Sequence, residues 1–184
     1  MKEGPKNRLI VVTGPTATGK TSFAAQLAAR VNGEIISADS RQVYRGMDLA
    51  TGKDLMDYMV DGEAIPFHLV DILDAGYEYN VFEFQRDFLQ VFREMNDRGK
   101  YPILCGGTGM YIESVLRGYR LVRVPENKAL RAELEERSME ELISILKSFK
   151  EPHNVTDIAD RERLIRAIEI QTHEQELPSS SLSF

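Results

Sequence analysis

The sequence has few of the residues on which secreted, membrane-spanning and nucleic-acid-coating proteins depend. A single cysteine, Cys105, allows no internal disulfide bond, which is typical of a reducing compartment. No apolar run approaches the ~18 residues of a membrane helix, and the polar start, MKEGPKNR, is unlike a signal peptide. Acidic residues number 29 against 23 basic ones, so the net charge of −6 disfavours strong non-specific binding to nucleic acid. We therefore expect a cytoplasmic monomer that does not bind membranes.

The 184 residues, 42% of them hydrophobic, are enough to bury one substantial core. Short β-branched runs alternate with amphipathic stretches, a pattern that indicates an α/β fold with a parallel sheet and helices on both faces. In the first helix, Phe23, Leu27 and Val31 recur at helical spacing and are expected on the core face. Strands are predicted at 9–12, 35–38, 69–73 and 101–105, loops with a short helix at 41–66, and helices at 19–31, 80–98, 109–117, 126–149 and 159–174.

The alternation of strands and helices suggests four segments along the chain. Residues 1–118 are expected to form a phosphate-loop core. Residues 119–158 are helical and charged, which predicts a helical appendage or lid, and residues 159–176 are expected to return to the core as a helix. The serine-rich tail, 177–184, has the composition of a disordered segment.

A glycine-rich stretch, GPTATGKT at 14–21, matches the pattern G-x-x-x-x-G-K-[ST]. It lies between a predicted buried strand and an amphipathic helix, which is the context that the motif requires. Its glycines allow the backbone N–H groups to point at phosphate oxygens, and the helix N-terminus adds partial positive charge. Lys20 supplies a full charge, and the Thr21 hydroxyl can bind Mg²⁺. The motif predicts a polyphosphate site but not the reaction carried out there.

Polar residues follow the predicted strands at the edge of the sheet where ligands bind in open α/β folds. Asp39, which begins the run DSRQ, can hold Mg²⁺ through water, accept a proton from a nucleophile, or cap the next helix. Asp71 lies in or just after the third predicted strand. Thr108, in the run GGTG, can donate a hydrogen bond to a substrate or satisfy its own turn. These groups are expected to converge near the phosphate loop.

Four further side chains remain to be interpreted. Arg163 and Arg166 are three residues apart on a predicted helix, so they can bind one anion together or form a solvated, salt-bridged face. His68 is flanked by apolar residues, which favours a structural role over catalysis or metal binding. Cys105 is predicted to be a buried, unreactive residue of its strand.

Several stretches, in consistent order, together resemble one family, the tRNA dimethylallyltransferases (isopentenyltransferases). The resemblance runs from about Arg8 to Gln171 and is highly specific, because few other phosphate-loop families carry the second of these stretches. The stretches are GPTATGKT at 14–21, ISADSRQVYRGMDLATGK at 36–53, HLVDIL at 68–73 with GGTGMYIESVLRG at 106–118, and RERLIRAIEI at 161–170.

The resemblance implies transfer of a dimethylallyl group from dimethylallyl diphosphate to the exocyclic amine of an adenosine in the tRNA anticodon loop. It assigns catalysis to Asp39 as general base, with Lys20 and Thr108, and it implies Mg²⁺ bound by Thr21. The diphosphate-binding residues that it implies are Gly14, Thr16, Ala17, Thr18, Gly19, Lys20 and Thr21. The tRNA-binding residues that it implies are Asp39, Ser40, Arg41, Gln42, Thr108, Glu162, Arg163, Leu164, Ile165 and Arg166.

The sequence departs from the family pattern in length, because family members continue past the RERLIRAIEI helix into further helical elements. We expect a C-terminally short member. Three alternatives remain open: an isopentenyltransferase acting on AMP, ADP or ATP; a small-molecule kinase in which the loop holds ATP; and a diphosphate-binding remnant without turnover.

Overall fold

The structure is a computed structural model that describes residues 8–48, 52–149 and 160–176. The predicted tail at 177–184 and the last part of the predicted appendage lie outside these ranges. The chain divides into two compact units, Met1–Tyr119 and Arg120–Phe184, which are described separately. No helix in the described part of the chain combines the length and the apolar character needed to cross a membrane.

The first unit contains a four-stranded parallel sheet, whose strands are β1 (Ile10–Thr13), β2 (Gly33–Ser37), β5 (Phe67–His68) and β6 (Tyr101–Gly106). Their order across the sheet is β1-β6-β2-β5. A 3-10 helix (Leu55–Tyr58) and a short antiparallel hairpin of β3 (Met59–Val60) and β4 (Glu63–Ala64) precede the edge strand β5.

Helices cover both faces of this sheet, which confirms the predicted α/β architecture. They are α1 (Lys20–Val31), α2 (Val81–Asp97) and α3 (Gly109–Leu116). Neighbouring residues of a strand point to opposite faces, so Ile35 packs in the cluster that contains α1, whereas Ile36 packs with α2 and α3. Ile35 and Ile36 of β2, with Ile103 and Leu104 of β6, are therefore buried, as the centre of a parallel sheet covered on both faces requires.

Both ends of helix α2 were also predicted from the sequence. Asn80 caps the helix by accepting a hydrogen bond from the Glu83 backbone N–H at 3.1 Å, within a capping box. Gly99 follows its last turn with a φ of 67°, a left-handed conformation that favours glycine.

The interpretation of His68 is supported by its contact with a buried carboxylate. Glu34, at the amino-terminal end of β2, is 2.8 Å from the His68 Nε2 and accepts two hydrogen bonds from Arg98. Burial by itself raises the pKa of Glu34, but the hydrogen bonds from Arg98 and His68 outweigh burial and lower that pKa. His68 thus takes part in an ion-pair cluster that joins β2, β5 and the end of α2.

The strand predicted at 69–73 is wrong. The edge strand ends at His68, and both Leu69 and Asp71 have positive φ values, 62° and 54°, which no strand allows. The segment instead runs beside residues 42–45, to which the Asp71 and Ile72 N–H groups donate hydrogen bonds. An apolar run of this length has no periodicity by which to distinguish these two outcomes.

Two helix predictions also need correction. Phe23 does not face the core: it is 59% exposed, because α1 packs against the sheet through the small side chains of Ala24, Ala25 and Ala28. The helix predicted at 126–149 is two helices, α4 (Lys128–Glu135) and α5 (Met139–Phe149). Ser138 separates them by capping α5, since its Oγ accepts a hydrogen bond from the Glu141 N–H at 3.2 Å.

The second unit is built from α4, α5 and the last helix, α6 (Arg161–Glu176). Its core is a cluster of leucine and isoleucine side chains contributed by all three helices. Within this unit the buried face of α6 packs on α4 and α5, and the return of residues 159–176 to the phosphate-loop core stays a prediction. The buried members of the cluster are Leu134, Leu142, Leu146, Leu164, Ile165 and Ile168.

The close approach of β6 to the chain that leaves β2 can be tested at Gly106, the last residue of β6. A Cβ at this position would lie 2.3 Å from the Ala38 carbonyl oxygen, a backbone atom that cannot move aside cheaply. We expect Gly106→Ala to destabilise the protein by about 2 kcal/mol or more, measured by denaturant unfolding. Gly109→Ala is the matched control, because no atom lies within 4 Å of a Cβ there; equal stability of the two variants would contradict this account.

Candidate functional site

The phosphate loop borders a cleft of about 240 Å³ at the carboxyl ends of β1, β2 and β6. This is the edge at which open parallel sheets bind ligands. The lining residues come from the loop, from the chain after β2, from the 3-10 helix and from the end of β6. They are Thr16, Ala17, Thr18, Gly19, Lys20, Thr21, Asp39, Gln42, Gly52, Asp57, Tyr58, Cys105, Gly106 and Gly107.

The loop has the backbone conformation of an anion cradle. Ala17 and Gly19 have left-handed φ values of 60° and 76°, and α1 begins immediately afterwards at Lys20. The Lys20 ammonium donates a hydrogen bond to the Pro15 carbonyl oxygen, and the Thr18 hydroxyl donates to the same oxygen at 2.9 Å. The lysine is therefore folded over the loop, with its charge beside the N–H groups of the helix N-terminus.

Asp39 reaches the cleft because β2 ends two residues before it, at Ser37. The Ala38 N–H donates to the Cys105 carbonyl oxygen at 2.7 Å, which keeps the chain beside β6 after the strand has ended. The Asp39 Oδ1 then accepts a hydrogen bond from the Arg41 N–H at 2.9 Å. The carboxylate caps this short turn rather than a helix, and it lines the same cleft as Lys20.

Thr108 ties the chain after β2 to the chain after β6. Its Oγ1 accepts a hydrogen bond from the Ser40 N–H at 3.0 Å, and its N–H donates to the Ala38 carbonyl oxygen at 3.1 Å. The structure thus shows the local role of Thr108, a contact that fixes the residues on either side of Asp39. Its hydroxyl lies 3.4 Å from the Ser40 Oγ.

The remaining predicted residues after β2 differ in exposure. Gln42 is buried: its Oε1 lies 3.5 Å from the Ser37 Oγ, and its Nε2 lies 3.4 Å from the Gly52 carbonyl oxygen. Arg41 is exposed at the surface beside Asp39. Gln42 therefore shapes the wall of the cleft, whereas Arg41 is accessible to a large ligand.

Asp71 is not part of the cleft lining, contrary to the expected convergence. Its Oδ1 is 2.5 Å from the Nζ of Lys53, which is also 2.6 Å from an Asp48 oxygen and donates to the Tyr44 carbonyl oxygen at 3.1 Å. Burial lowers the pKa of Lys53, but the hydrogen bonds to Asp48 and Asp71 outweigh burial and raise it. This buried cation holds the segment after Asp39 against the chain that follows β5.

Two residues of the cleft, Asp57 and Tyr58, were not predicted from the sequence. Cys105 was predicted to be buried in its strand but not to line the cleft. Asp57 and Tyr58 belong to the 3-10 helix, outside every recognised motif, so no pattern identifies them. Burial raises the pKa of the Cys105 thiol to about 11, an effect to which Asp39 adds. Cys105 is therefore a neutral thiol at physiological pH, in agreement with its predicted lack of reactivity.

The oxygen donors of the cleft suit Mg²⁺. Thr21 supplies a hydroxyl, and Asp39 and Asp57 supply carboxylates. Over residues 8–48, 52–149 and 160–176, no three His, Cys, Asp or Glu side chains form a metal-binding group. That finding is compatible with Mg²⁺, which commonly takes one or two protein oxygens together with substrate phosphates and water.

The predicted acceptor-binding segment on α6 is only partly accessible within its own unit. Glu162 and Arg163 are exposed, whereas Leu164 and Ile165 are buried in the three-helix core. Of the two interpretations of Arg163 and Arg166, the salt-bridged one describes Arg166, which pairs with the buried Glu169 and donates a hydrogen bond to the Val124 carbonyl oxygen at 2.9 Å.

Comparison with known proteins identifies the family. A family model described as IPP transferase matches residues 42–183, and one described as isopentenyl transferase matches residues 7–64. The chain belongs to the IPP transferase family. Among curated relatives, tRNA dimethylallyltransferase 2 of Bacteroides fragilis is 58% identical over 98% of this chain. A second relative, tRNA dimethylallyltransferase 1 of Parabacteroides distasonis, is 60% identical over 90% of it.

Solved structures agree with this assignment. A full-length tRNA isopentenylpyrophosphate transferase from Bacillus halodurans superposes with a TM-score of 0.60 at 36% identity, covering 91% of this chain and 56% of that one. A eukaryotic dimethylallyltransferase, 23% identical, covers 95% of this chain and 45% of its own, and it shares the fold with a TM-score of 0.71. The chain spans 59% and 54% of the length of the two bacterial relatives named above.

Lys20→Ala tests the phosphate loop. The variant removes the full positive charge beside the helix N-terminus, so we expect its affinity for inorganic diphosphate to fall at least about tenfold, measured by titration calorimetry. Lys100→Ala is the control, since the Lys100 Nζ bonds the Asn32 Oδ1 at 2.6 Å, away from the cleft. Unchanged affinity of Lys20→Ala for diphosphate would show that the loop is not the diphosphate-binding site.

Glu169→Gln tests the ion pairs of the second unit by their pH dependence. Burial alone raises the pKa of Glu169, but hydrogen bonds from Arg131, the Asn127 N–H and Arg166 outweigh burial and lower the pKa to about 2. A lowered folded-state pKa means that the ionised carboxylate stabilises the protein above about pH 4.5 and that this stability is lost as the pH falls towards about 2.

We therefore expect Glu169→Gln to lower the melting temperature at pH 7 and to flatten its dependence on pH between these limits. Glu133→Gln is the control, because Glu133 is exposed and its pair with Arg137 is a surface ion pair at 3.3 Å. A Glu169→Gln variant that melts like the wild type at pH 7 would show that the buried pairs do not stabilise this unit.

Proposed function

We propose that this protein transfers the dimethylallyl group of dimethylallyl diphosphate to the exocyclic amine of an adenosine in the anticodon loop of tRNA. One observation carries the proposal: the Asp39 carboxylate lines the same cleft as the phosphate loop. A reaction in which a diphosphate leaves while an amine loses a proton needs these two groups side by side.

In the proposed complex the loop binds the diphosphate. The backbone N–H groups around Gly19 and the N-terminus of α1 face its oxygens, and Lys20 exchanges the Pro15 carbonyl oxygen for a phosphate oxygen. Charge grows on the diphosphate as the bond between the allylic carbon and oxygen breaks. Lys20 and the helix N-terminus are positioned before the reaction, so they stabilise that charge without reorganisation.

The proton and the electron pair have separate destinations in this step. The adenine nitrogen forms a bond to the allylic carbon, and the electron pair of the broken carbon–oxygen bond leaves with the diphosphate. The proton of the amine passes to the Asp39 carboxylate. An adenine amine is a weak nucleophile because its lone pair is delocalised into the ring, so removal of the proton during attack favours the reaction.

Mg²⁺ is part of the proposal, held by the Thr21 hydroxyl with Asp39 oxygens nearby. When bound, it neutralises charge on the diphosphate. Thr21, which follows the loop as the second residue of α1, would hold the ion.

The acceptor is proposed from the relatives and from exposed basic side chains. The bacterial relatives that cover most of this chain are named for action on tRNA. A base within a stacked anticodon loop must be flipped out to enter a cleft of this size. Arg41 next to Asp39, and Arg163 on α6, are exposed cations suited to nucleic-acid phosphates.

The proposal is tested by incubating the protein with labelled dimethylallyl diphosphate and either unmodified tRNA or AMP. We expect label in tRNA and none in AMP. Label in AMP alone would favour an adenylate isopentenyltransferase, and diphosphate binding without any labelled product would favour the inactive remnant. Thermal stabilisation by ATP but not by dimethylallyl diphosphate would favour a kinase.

Asp39→Asn separates binding from chemistry. The amide can keep the hydrogen bond from the Arg41 N–H but cannot take the proton of the amine, so turnover should fall roughly 10²–10⁴-fold with diphosphate affinity retained. Asp97→Asn, an exposed change at the end of α2, is the control. Turnover of Asp39→Asn equal to that of the wild type would exclude Asp39 as the base.

A further inference from the structure

Tyr58 reaches the cleft from a segment outside the phosphate loop and the strand ends. It is the last residue of the 3-10 helix, and only 3% of its surface is exposed. Its ring lies 4.3 Å from the ring of Phe67, between centroids, and belongs to the same buried cluster as Ala24 and Ala25 of α1. The ring is thus fixed in the core on the α1 face of the sheet.

The hydroxyl of Tyr58 has a different environment from its ring. Tyr58 lines the cleft together with Lys20, Thr21 and Asp39. In the described part of the chain, every fully buried side-chain nitrogen and oxygen has a hydrogen-bond partner, and no hydrogen bond is made by the Tyr58 hydroxyl. The hydroxyl is therefore the part of this residue that opens into the cleft.

The surroundings of the hydroxyl keep it protonated. Burial raises the pKa of Tyr58, and the nearby carboxylates of Asp57 and Asp39 raise it further. A protonated phenol that has no acceptor within the protein is available to donate a hydrogen bond to a ligand.

We propose that the Tyr58 hydroxyl donates a hydrogen bond to an oxygen of the diphosphate, as a binding residue additional to the phosphate loop. This inference rests on the proposed function, because that function places a diphosphate in the cleft. A diphosphate brings several anionic acceptor oxygens into a cleft in which the phenol has none, and hydrogen bonds to charged acceptors are the stronger ones.

The position of the ring favours the diphosphate over the acceptor nucleoside as the partner. The 3-10 helix contacts α1, and Tyr58 shares a cluster with residues one turn after Lys20. The ring therefore packs beside the first turns of α1, the helix at whose N-terminus an anion binds. Asp39, the residue assigned to the acceptor, makes no hydrogen bond to Tyr58.

The experiment compares diphosphate binding by the wild type, Tyr58→Phe and Tyr101→Phe. Phenylalanine keeps the ring of Tyr58 in the core and removes only the hydroxyl. Tyr101→Phe is the matched control, since Tyr101 starts β6 at the opposite end of the sheet. Dissociation constants for inorganic diphosphate and dimethylallyl diphosphate are measured by calorimetry well below the melting temperature of each variant.

We expect Tyr58→Phe to weaken the binding of both ligands about tenfold, with the KM for tRNA unchanged and Tyr101→Phe binding like the wild type. Equal affinity of Tyr58→Phe and the wild type would overturn the inference and leave the proposed function intact. Equal weakening in both variants, or a change confined to the KM for tRNA, would also overturn it. A wild-type protein that binds neither ligand would overturn the proposed function and this inference together.

Discussion

The site depends on one junction, where the chain leaves β2 and β6 side by side. Ala38 donates its N–H to Cys105 and accepts a hydrogen bond from Thr108, and the Thr108 hydroxyl accepts one from Ser40. The close approach requires Gly106, where a Cβ would overlap the Ala38 carbonyl group. Because these contacts are short and mostly between backbone atoms, they fix the direction in which Asp39 leaves the sheet. The same edge carries the phosphate loop after β1, so the junction brings the carboxylate to the loop without any direct bond between them.

Buried charge stabilises the surroundings of the site rather than the cleft itself. Lys53 is enclosed by carboxylate and carbonyl oxygens and connects the segment after β2 to the chain that follows β5. At the opposite end of β2, Glu34 connects that strand to Arg98 at the end of α2, and Glu169 of α6 pairs with Arg131 of α4. Each of these ions has partners close enough to offset the loss of water, whereas removal of one partner would leave an uncompensated buried charge. The segments that these ions connect are therefore held by a few strong polar contacts.

The face of α1 that packs on the sheet explains how the cleft gets its second wall. Its alanines allow the helix to approach the strands closely, which leaves room beside it for the ring of Tyr58. The 3-10 helix that carries Tyr58 follows Lys53, so the polar contacts of Lys53 also limit where that helix can lie. Tyr58 therefore reaches the cleft from the α1 side of the sheet.

Features that depend on neighbours along the chain could be predicted from the sequence. The phosphate loop, the buried strands and the ends of α2 follow from local spacing, and the family follows from the run of matching stretches. The remaining features depend on contacts between distant segments, so they could be seen only in the folded chain. Leu69 and Asp71 leave the strand conformation where their segment pairs with the chain after β2. Phe23 faces outward because the alanines of α1 suffice for packing on the sheet. Arg166 forms an ion pair with Glu169. Tyr58 enters the cleft from a segment with no motif, since only folding brings it beside the loop.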